Sequence, residues 1–342
     1  MRISLDAMGG DHAPATTVQG AVEAVRECKD LTVILVGDEV ELGREIAKRK
    51  FSSERIIIKH ASQVVGMGEP PMTAVRRKKD SSISVALELV KTGEADAMVS
   101  AGNSGVVMAT ALFKLGKIPG VDRPAIATIM PALKGNFFLL IDAGANVDCD
   151  PMNLYQFAIM GEAYMRKVFH IENPKVGLLG IGEEDAKGNE LTKEAFKLLK
   201  NSNFNFIGNV EGKEIYKGEA HVVVCDGFVG NIALKISEGL AEAISKMLQH
   251  EISISLSGRI GYLFMKGVFA KFRKKTHYAE YGGAPLLGLN KPCIISHGRS
   301  SAKAIKNAII VAAEYYNTGV SDLISQEFSS SISREEKLAS AE

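Results

Sequence analysis

The chain has no tryptophan, which by itself decides nothing, and only four cysteines, which are scattered. Cys28, Cys149, Cys225 and Cys293 form no CxxC pair and do not cluster with histidine. That pattern argues against a zinc site or a disulfide framework and suits a reducing cytosol. An excess of one charge is also missing. Lys and Arg number 41 against 40 Asp and Glu, so bulk electrostatics points to no nucleic acid and no membrane. The longest uncharged stretch, Ala97 to Phe113, falls short of the ~20 apolar residues that a spanning helix needs, and Gly102-Asn103-Ser104 interrupts it. No positively charged leader with an apolar core opens the chain, so the expectation is a soluble, cytoplasmic protein without a signal peptide.

What is present is an alternation of strand-like and helix-like segments over 342 residues, long enough for one large α/β unit or two ordinary domains. Strands are expected at Leu31–Val36, Arg55–His60, Ala97–Ser100, Ala125–Met130, Phe137–Ile141, Lys175–Leu179, Phe204–Ile207, His221–Cys225 and Cys293–Ile295. Amphipathic helices are expected at Ala15–Cys28, Ser82–Lys91, Pro151–Val168, Glu190–Lys200, Ile232–Gln249 and Ala302–Tyr316. Asp150-Pro151 reads as an N-cap followed by proline at the first helical position. Continuous apolar strands such as Val222-Val223-Val224 suit a sheet covered on both faces. The architecture these patterns predict is a doubly wound, three-layer α/β/α fold with a mostly parallel sheet. One α/β domain is expected over 1–321, with room for two lobes around a central cleft. A polar, serine-rich tail over 322–342 is expected to fray.

The first fourteen residues hold the densest signal. Ile3 and Leu5 alternate with polar neighbours as in a short strand, which runs into Asp6, Gly9-Gly10, Asp11 and His12, with Pro14 suited to a helix first turn. A strand, a glycine turn and a helix N-terminus present backbone N–H groups to an anion. Five further strand ends are read as pairing glycine with Ser, Asn, Asp or His: Ser100–Gly105, Asp142–Asn146, Gly180–Glu184, Asp226–Asn231 and His297–Ser300. In a parallel sheet such ends lie on one edge and converge on a shared cleft.

The standard nucleotide and nucleophile signatures are missing there. GxGxxG does not follow the first strand, GxxxxGK[ST] is absent, and neither a GxSxG elbow nor a cysteine beside a recognisable base occurs. A cleft rich in anion-holding donors and poor in activated nucleophiles suggests that the anion is itself the reactant. Inorganic phosphate fits, being already ionised near neutral pH.

With those motifs assembled, the sequence closely resembles the bacterial phosphate acyltransferases of phospholipid synthesis, the acyl-ACP:phosphate acyltransferase family. The resemblance rests on DAMGGDHAP (Asp6–Pro14), GEPPMTAVRRKKDSSI (Gly68–Ile83), SAGNSG (Ser100–Gly105), DAGAN (Asp142–Asn146), GEEDAKGNE (Gly182–Glu190), CDGFVGN (Cys225–Asn231), YGGAPLLG (Tyr281–Gly288) and HGRS (His297–Ser300). It implies transfer of a long-chain fatty acyl group from the thioester of acyl carrier protein to inorganic phosphate. The acyl-phosphate formed would feed a membrane glycerol-3-phosphate acyltransferase. It also implies a fold like that of phosphate acetyltransferases and isocitrate/isopropylmalate dehydrogenases, and no cofactor.

On that basis Gly9, Gly10, Ser100, Gly102, Asn103, Ser104, Gly105, Asn146 and Gly230 are the expected phosphate and substrate contacts. Lys187, His12, His297 and Asn231 are the expected catalytic group. Asp6, Asp11, Asp142 and Asp226 are expected to orient donors behind them rather than to hold Mg²⁺. Arg76-Arg77-Lys78-Lys79 offers a positive run for the acidic carrier protein. A basic amphipathic segment over 252–275 carries Leu263, Phe264, Val268 and Phe269 among Lys271, Arg273, Lys274 and Lys275. Such a segment suits the inner face of the cell membrane or a homodimer contact, and the two roles are compatible. Rival readings are a short-chain phosphate acetyl- or butyryltransferase using coenzyme A, a dehydrogenase of the same fold class, and a non-catalytic scaffold for acyl carrier protein at the membrane.

Overall fold

The structure is a computed structural model that describes the backbone of residues 1–133, 136–276 and 282–339, and their side chains except at 270–276 and 331–339. Tyr281 and the side chains of Lys271, Arg273, Lys274 and Lys275 lie outside the described residues.

Eleven strands form one sheet. They are β1 (Arg2–Asp6), β2 (Thr32–Gly37), β3 (Ile56–His60), β4 (Ala97–Ser100), β5 (Ala125–Pro131), β6 (Phe137–Ile141), β7 (Lys175–Gly180), β8 (Asn205–Glu211), β9 (Val222–Val224), β10 (Ala284–Leu287) and β11 (Cys293–Ile295). Their order is β3-β2-β1-β4-β11-β10-β5-β6-β9-β7-β8. The main helices are α1 (Ala15–Glu27), α2 (Glu39–Lys48), α3 (Pro71–Arg77), α4 (Ser82–Lys91), α5 (Ser104–Leu115), α6 (Pro151–Val168), α7 (Glu190–Lys200), α8 (Gly227–Ile254), α9 (Leu256–Thr276), α10 (Ala302–Thr318) and α11 (Val320–Ala339).

Both faces of the sheet are covered. On one face of the β1–β4 half, Ile3, Leu5, Val33, Leu35 and Val99 pack under α1 and α10. On the other, Ile34, Val36, Met98 and Ile295 pack under α4 and α5. In the second half Leu139, Ile141, Val176, Leu178, Val222 and Val224 lie under α6 and α7. Local signals set several boundaries. Ser81 caps α4 by accepting from the Ser84 N–H at 3.3 Å. Asp150 and Asn153 form a reciprocal capping box at the start of α6, with Pro151 at its first position.

Two expectations need correction. The polar tail is not frayed at its start: Val320, Ile324 and Phe328, spaced one helical turn apart, bury α11 against α6. Nor do the glycine-bearing strand ends share one edge. β10 is antiparallel to both β11 and β5, and β5 is antiparallel to β6, so the parallel sets on either side point in opposite directions.

The registers nevertheless bring the ends together. Ser100, Ile295 and Ala284 share a level. Leu287, three residues along β10, pairs with Ala125, and two residues on along β5, which returns toward that level, Ala127 pairs with Ile141. The carboxyl ends of β4, β11 and β6 therefore lie within one residue, about 3.3 Å, of a common level while facing opposite ways.

Candidate active site

The ends of β1, β4 and β11 make the first cluster. Asp6 pairs with Ser100 across the ladder, and Ser100 with Ile295. The Asp6 carboxylate is fully buried and accepts from Ser100 Oγ at 2.6 Å. The same hydroxyl accepts from the Gly102 N–H at 3.0 Å. Burial raises the Asp6 carboxyl above its usual 3.8, and hydrogen bonds from Ser100, Ser82, Met8 and Gly9 work against that rise. Three chain turns meet over this carboxylate. A methyl on Gly9 would lie 2.7 Å from the Gly102 nitrogen, and one on Gly10 would lie 3.1 Å from the Gly298 carbonyl oxygen. Gly10 has φ +105°, a left-handed value that glycine adopts without strain. The Asp11 N–H donates to the Gly298 carbonyl at 2.8 Å, tying the β1 turn to the β11 turn.

Asn103 caps α5, accepting from the Val106 N–H at 3.2 Å, while its amide donates to the Met67 and Glu69 carbonyls at 2.8 and 3.1 Å. Ser104 is exposed at the first position of α5. Gly105 serves packing, since a methyl there would lie 2.9 Å from Pro71 Cγ. His297 is exposed at the rim, and its Nδ1 accepts from the Arg299 N–H at 3.1 Å, which leaves the proton of the neutral ring on Nε2. Loss of surrounding water, and then the Lys235 cation, push His297 below its usual value of 6.5. His12 is exposed where the β1 turn enters α1, and its carbonyl accepts from the Thr16 N–H at 3.1 Å. Arg299 and Asp11 approach to 4.0 Å at the surface.

The ends of β6 and β9 make the second cluster. Asp142 is fully buried, and burial raises its carboxyl. Its Oδ1 accepts from the N–H groups of Ile126, Gly144 and Ala145 at 3.0, 3.1 and 2.9 Å. Its Oδ2 accepts from Ala145 N–H, Asn146 N–H and Asn146 Nδ2 at 3.1, 2.7 and 2.9 Å. Asp226 caps α8, accepting from the Phe228 and Val229 N–H groups at 2.9 and 3.0 Å. A methyl on Gly144 would lie 3.3 Å from Asn231 Cβ, and one on Gly230 would overlap the Asp142 carbonyl oxygen.

Helix α8 links the two clusters. It starts at Gly227, whose N–H donates to the Asn146 carbonyl at 2.7 Å beside the Asp142 turn, and its Lys235 and Glu238 act on the charge of His297. Farther along, Arg299 acts on Glu242. Lys187 lies elsewhere, in an open depression of about 450 Å³ with Glu183, Glu184, Glu211 and Lys213 at the ends of β7 and β8. Six strand spacings of about 4.8 Å separate β4 from β7 in the sheet. The structure thus gathers Asp6, Gly9, Gly10, Asp11, Ser100, Gly102, Asn103 and His297 in one place and Asp142, Asn146, Asp226, Gly230 and Asn231 in another. Lys187 belongs to neither group.

Burial raises all four cysteine thiols, Cys28 included, which disfavours a thiolate at each. Burial pushes Cys149 up to about 11 and Cys293 up to about 12, and pushes Cys225 well above its usual value. Among the described residues no group of three or more His, Cys, Asp and Glu is arranged to hold a metal ion.

Peripheral features also differ in detail from expectation. Arg76, Arg77 and Lys79 are exposed around the end of α3, but Lys78 turns inward to Glu69 Oε1 at 2.5 Å and the Val64 carbonyl at 2.7 Å. Leu263, Phe264 and Val268 are exposed on α9, and the Phe269 ring sits 5.3 Å from that of Tyr262. Among the described residues no helix is long and apolar enough to cross a membrane.

Sequence reasoning missed the loop around Met67 and the role of Lys235 and Glu238. Neither has a local signature, because both reach the site across the fold. The motif GEPPM did mark the neighbourhood of the Met67 loop.

The three-layer α/β fold is shared with solved phosphotransacetylases. One from Streptococcus pyogenes superposes with TM-score 0.61 at 21% identity, covering 92% of this chain and 93% of that one. One from Staphylococcus aureus gives TM-score 0.60 at 18% identity, covering 92% and 94%. A model of the family described as fatty acid synthesis protein matches residues 1–323, and the chain belongs to that family. It is similar to a protein of Geobacter sulfurreducens named phosphate acyltransferase, 56% identical over 95% of this chain and 94% of the relative. Another of that name, from Thermodesulfovibrio yellowstonii, is 54% identical over 98% of this chain and 96% of the relative.

Proposed function

We propose that the protein is a phosphate acyltransferase whose donor is a fatty acyl thioester of acyl carrier protein and whose acceptor is inorganic phosphate. The observation that carries the reading is the cluster at β1, β4 and β11, where three glycine turns meet over a buried carboxylate beside a neutral His297. Such turns can offer backbone N–H groups to an anion. Burial disfavours, at every cysteine, a thiolate that would compete with phosphate as nucleophile.

Chemistry then needs little from side chains. A phosphate oxygen held within ~3–3.5 Å of the thioester carbonyl carbon attacks it. The C–O bond forms, negative charge gathers on the carbonyl oxygen, and donors at the turns stabilise it. The C–S bond breaks, and the carrier's thiol, with a free pKa near ~8.5, leaves readily as a thiolate that takes a proton from solvent. Ser100 and Gly102 shape the phosphate turn, and His297 Nε2–H is a neutral donor at its rim. His12 at the same rim and Asn231 at the start of α8 are further contacts. Asp6, Asp11, Asp142 and Asp226 position these groups, a role supported by the N–H and O–H donors that already occupy Asp6, Asp142 and Asp226. Lys187, six strand spacings from β4, would act from its depression on the carrier's arm rather than on the phosphate.

Arg76, Arg77 and Lys79 offer positive charge to the acidic carrier protein. The exposed α8–α9 apolar surface suits a second copy of the chain, and the α9 end suits the inner face of the cell membrane, where a glycerol-3-phosphate acyltransferase would take the product. Charge at Leu263 and Phe264 (Leu263→Asp, Phe264→Asp) separates these: lost co-sedimentation with anionic vesicles supports the membrane role, lost dimer the interface.

One assay tests the function. Incubation with palmitoyl-ACP and phosphate should yield acyl-phosphate and free carrier protein. Turnover only with acetyl-coenzyme A would assign a short-chain phosphate acetyl- or butyryltransferase, NAD reduction a dehydrogenase, and binding without turnover a scaffold.

A further inference from the structure

The loop before α3 is held over the first cluster by several bonds. Asn103 Nδ2 donates to the carbonyls of Met67 and Glu69. The Glu69 carboxylate accepts from the Gly66 N–H at 2.7 Å and from Lys78 Nζ at 2.5 Å. Lys78 Nζ also donates to the Val64 carbonyl at 2.7 Å. The backbone is thereby fixed, yet the side chain it presents is apolar and 45% exposed: Met67, with Val64 and Met72 exposed to either side.

Met67 meets the site at one point. A methyl on Gly298 would lie 2.7 Å from Met67 Cε, so the thioether end rests on the turn whose carbonyl is bonded to the Asp11 N–H. Around it the rim is polar: Asp11, His12, His297 and Arg299 are all exposed. A loop fixed by its own bonds thus presents one flexible apolar group to a polar rim.

We infer that Met67 is a specificity-determining residue that carries the first methylenes of the acyl chain as it leaves the thioester, with Met72 continuing the same wall. This rests on the acyl-transfer reading above. The reacting carbonyl must lie against the phosphate turns, so the chain attached to it must pass over a neighbour of those turns, and Met67 touches one of them. Methionine suits the task because its unbranched, polarizable side chain adapts to a sliding alkyl chain. Basic Arg76 and Arg77 follow on α3, so the carrier protein and the chain it delivers would be read by one continuous segment.

The test keeps the carrier constant and varies only the chain. Met67→Gln preserves length and removes the apolar end; Met67→Leu preserves apolarity; Met67→Ala is a second truncation. With palmitoyl-ACP, kcat/KM should fall about tenfold in Met67→Gln, the effect of losing contact with roughly two methylenes. With acetyl-ACP it should change less than about twofold, and Met67→Leu should recover the long-chain rate. An equal loss on both chains would overturn the inference, because Met67 would then be serving the phosphate turn or the fold. Unchanged selectivity in both Met67→Gln and Met67→Ala would overturn it too. Wild-type protein that forms no acyl-phosphate from either donor would remove the acyl-transfer reading itself, and this inference with it.

Discussion

Ser100 and Asp6, at the ends of neighbouring strands, share a 2.6 Å hydrogen bond inside the protein, and the same serine hydroxyl accepts the Gly102 N–H. One side-chain bond thus couples a buried carboxylate to the turn proposed to hold phosphate. Ser100→Ala should cost about 1–3 kcal/mol, because it leaves a buried acceptor short of a partner. Urea unfolding should show it as a lower midpoint, with KM for phosphate rising alongside.

The same carboxylate sets a pH signature. Burial raises the Asp6 carboxyl in the folded state above 3.8, so the folded protein holds this proton more tightly than the unfolded chain. The stability this contributes is fully present below the unfolded value and is lost as pH rises through the folded one. Asp6→Asn removes the titration. The difference in unfolding free energy, wild type minus variant, should therefore fall as pH rises from about 4 toward neutrality. A difference that rises over that range would contradict the sign.

Gly230 has no room for a side chain, because a methyl would overlap the Asp142 carbonyl oxygen. Gly230→Ala should destabilise by about 3 kcal/mol or prevent folding, as overpacking against backbone does. Gly239→Ala, on the same helix with nothing within 4 Å of the added methyl, is the control and should be neutral or slightly stabilising. Thermal unfolding of the pair checks both.

His297 accepts from the Arg299 N–H and is held below its usual value, so near neutral pH it is an uncharged donor through Nε2. As pH falls through its folded value, beneath 6.5, Nδ1 gains a proton and loses that bond. Wild-type kcat/KM should therefore drop on the acid side with an apparent value below 6.5. His297→Gln should keep a donor and flatten that limb, while His297→Ala should lose about tenfold or more near neutral pH, a gap that narrows on the acid side. A limb that persists in His297→Gln would assign it to another group.

Lys187 is the expected positive partner that the fold sets apart from both clusters. Lys187→Ala should lower kcat/KM for acyl-ACP about tenfold, as loss of a docking charge does, while leaving stability within about 0.5 kcal/mol, as for an ordinary surface change. Lys187→Arg should recover part of the rate. Unchanged turnover would take Lys187 out of the mechanism.

Much of the fold was legible because its signals are local. Helix α4 is bounded as the pattern predicts, with Ser81 as its cap, and α6 begins at the Asp150-Pro151 pair. Strands β4, β6 and β11 also match, being short apolar runs that end at polar turns. Strand β10 was not legible. It is four residues long, contains Pro285, and exists because β11 and β5 flank it. The reversal of the second half depends on that strand, so the level at which Ser100 and Ile141 meet is a property of pairing between distant segments. Helix α11 escaped for a related reason: its polar composition hides a one-residue-wide apolar stripe through Val320, Ile324 and Phe328. Asp6, Gly9 and Ser100 were read from the strand ends. Met67 was not, because its place on Gly298 is fixed by Asn103 from another element.

The seat of β11 between β4 and β10 also governs the chain during its own synthesis. Strand β4 is buried at every residue, yet one of its edges has no partner until residues 293–295 have left the ribosome. Through all that time the amino-terminal half carries a bare apolar edge of the kind that recruits other chains. The Gly298 turn that joins Gly10 arrives just after it. A nascent chain therefore ties its Gly10 turn to the Gly298 turn and closes that apolar edge in the same few seconds of translation, at ~5–20 residues per second.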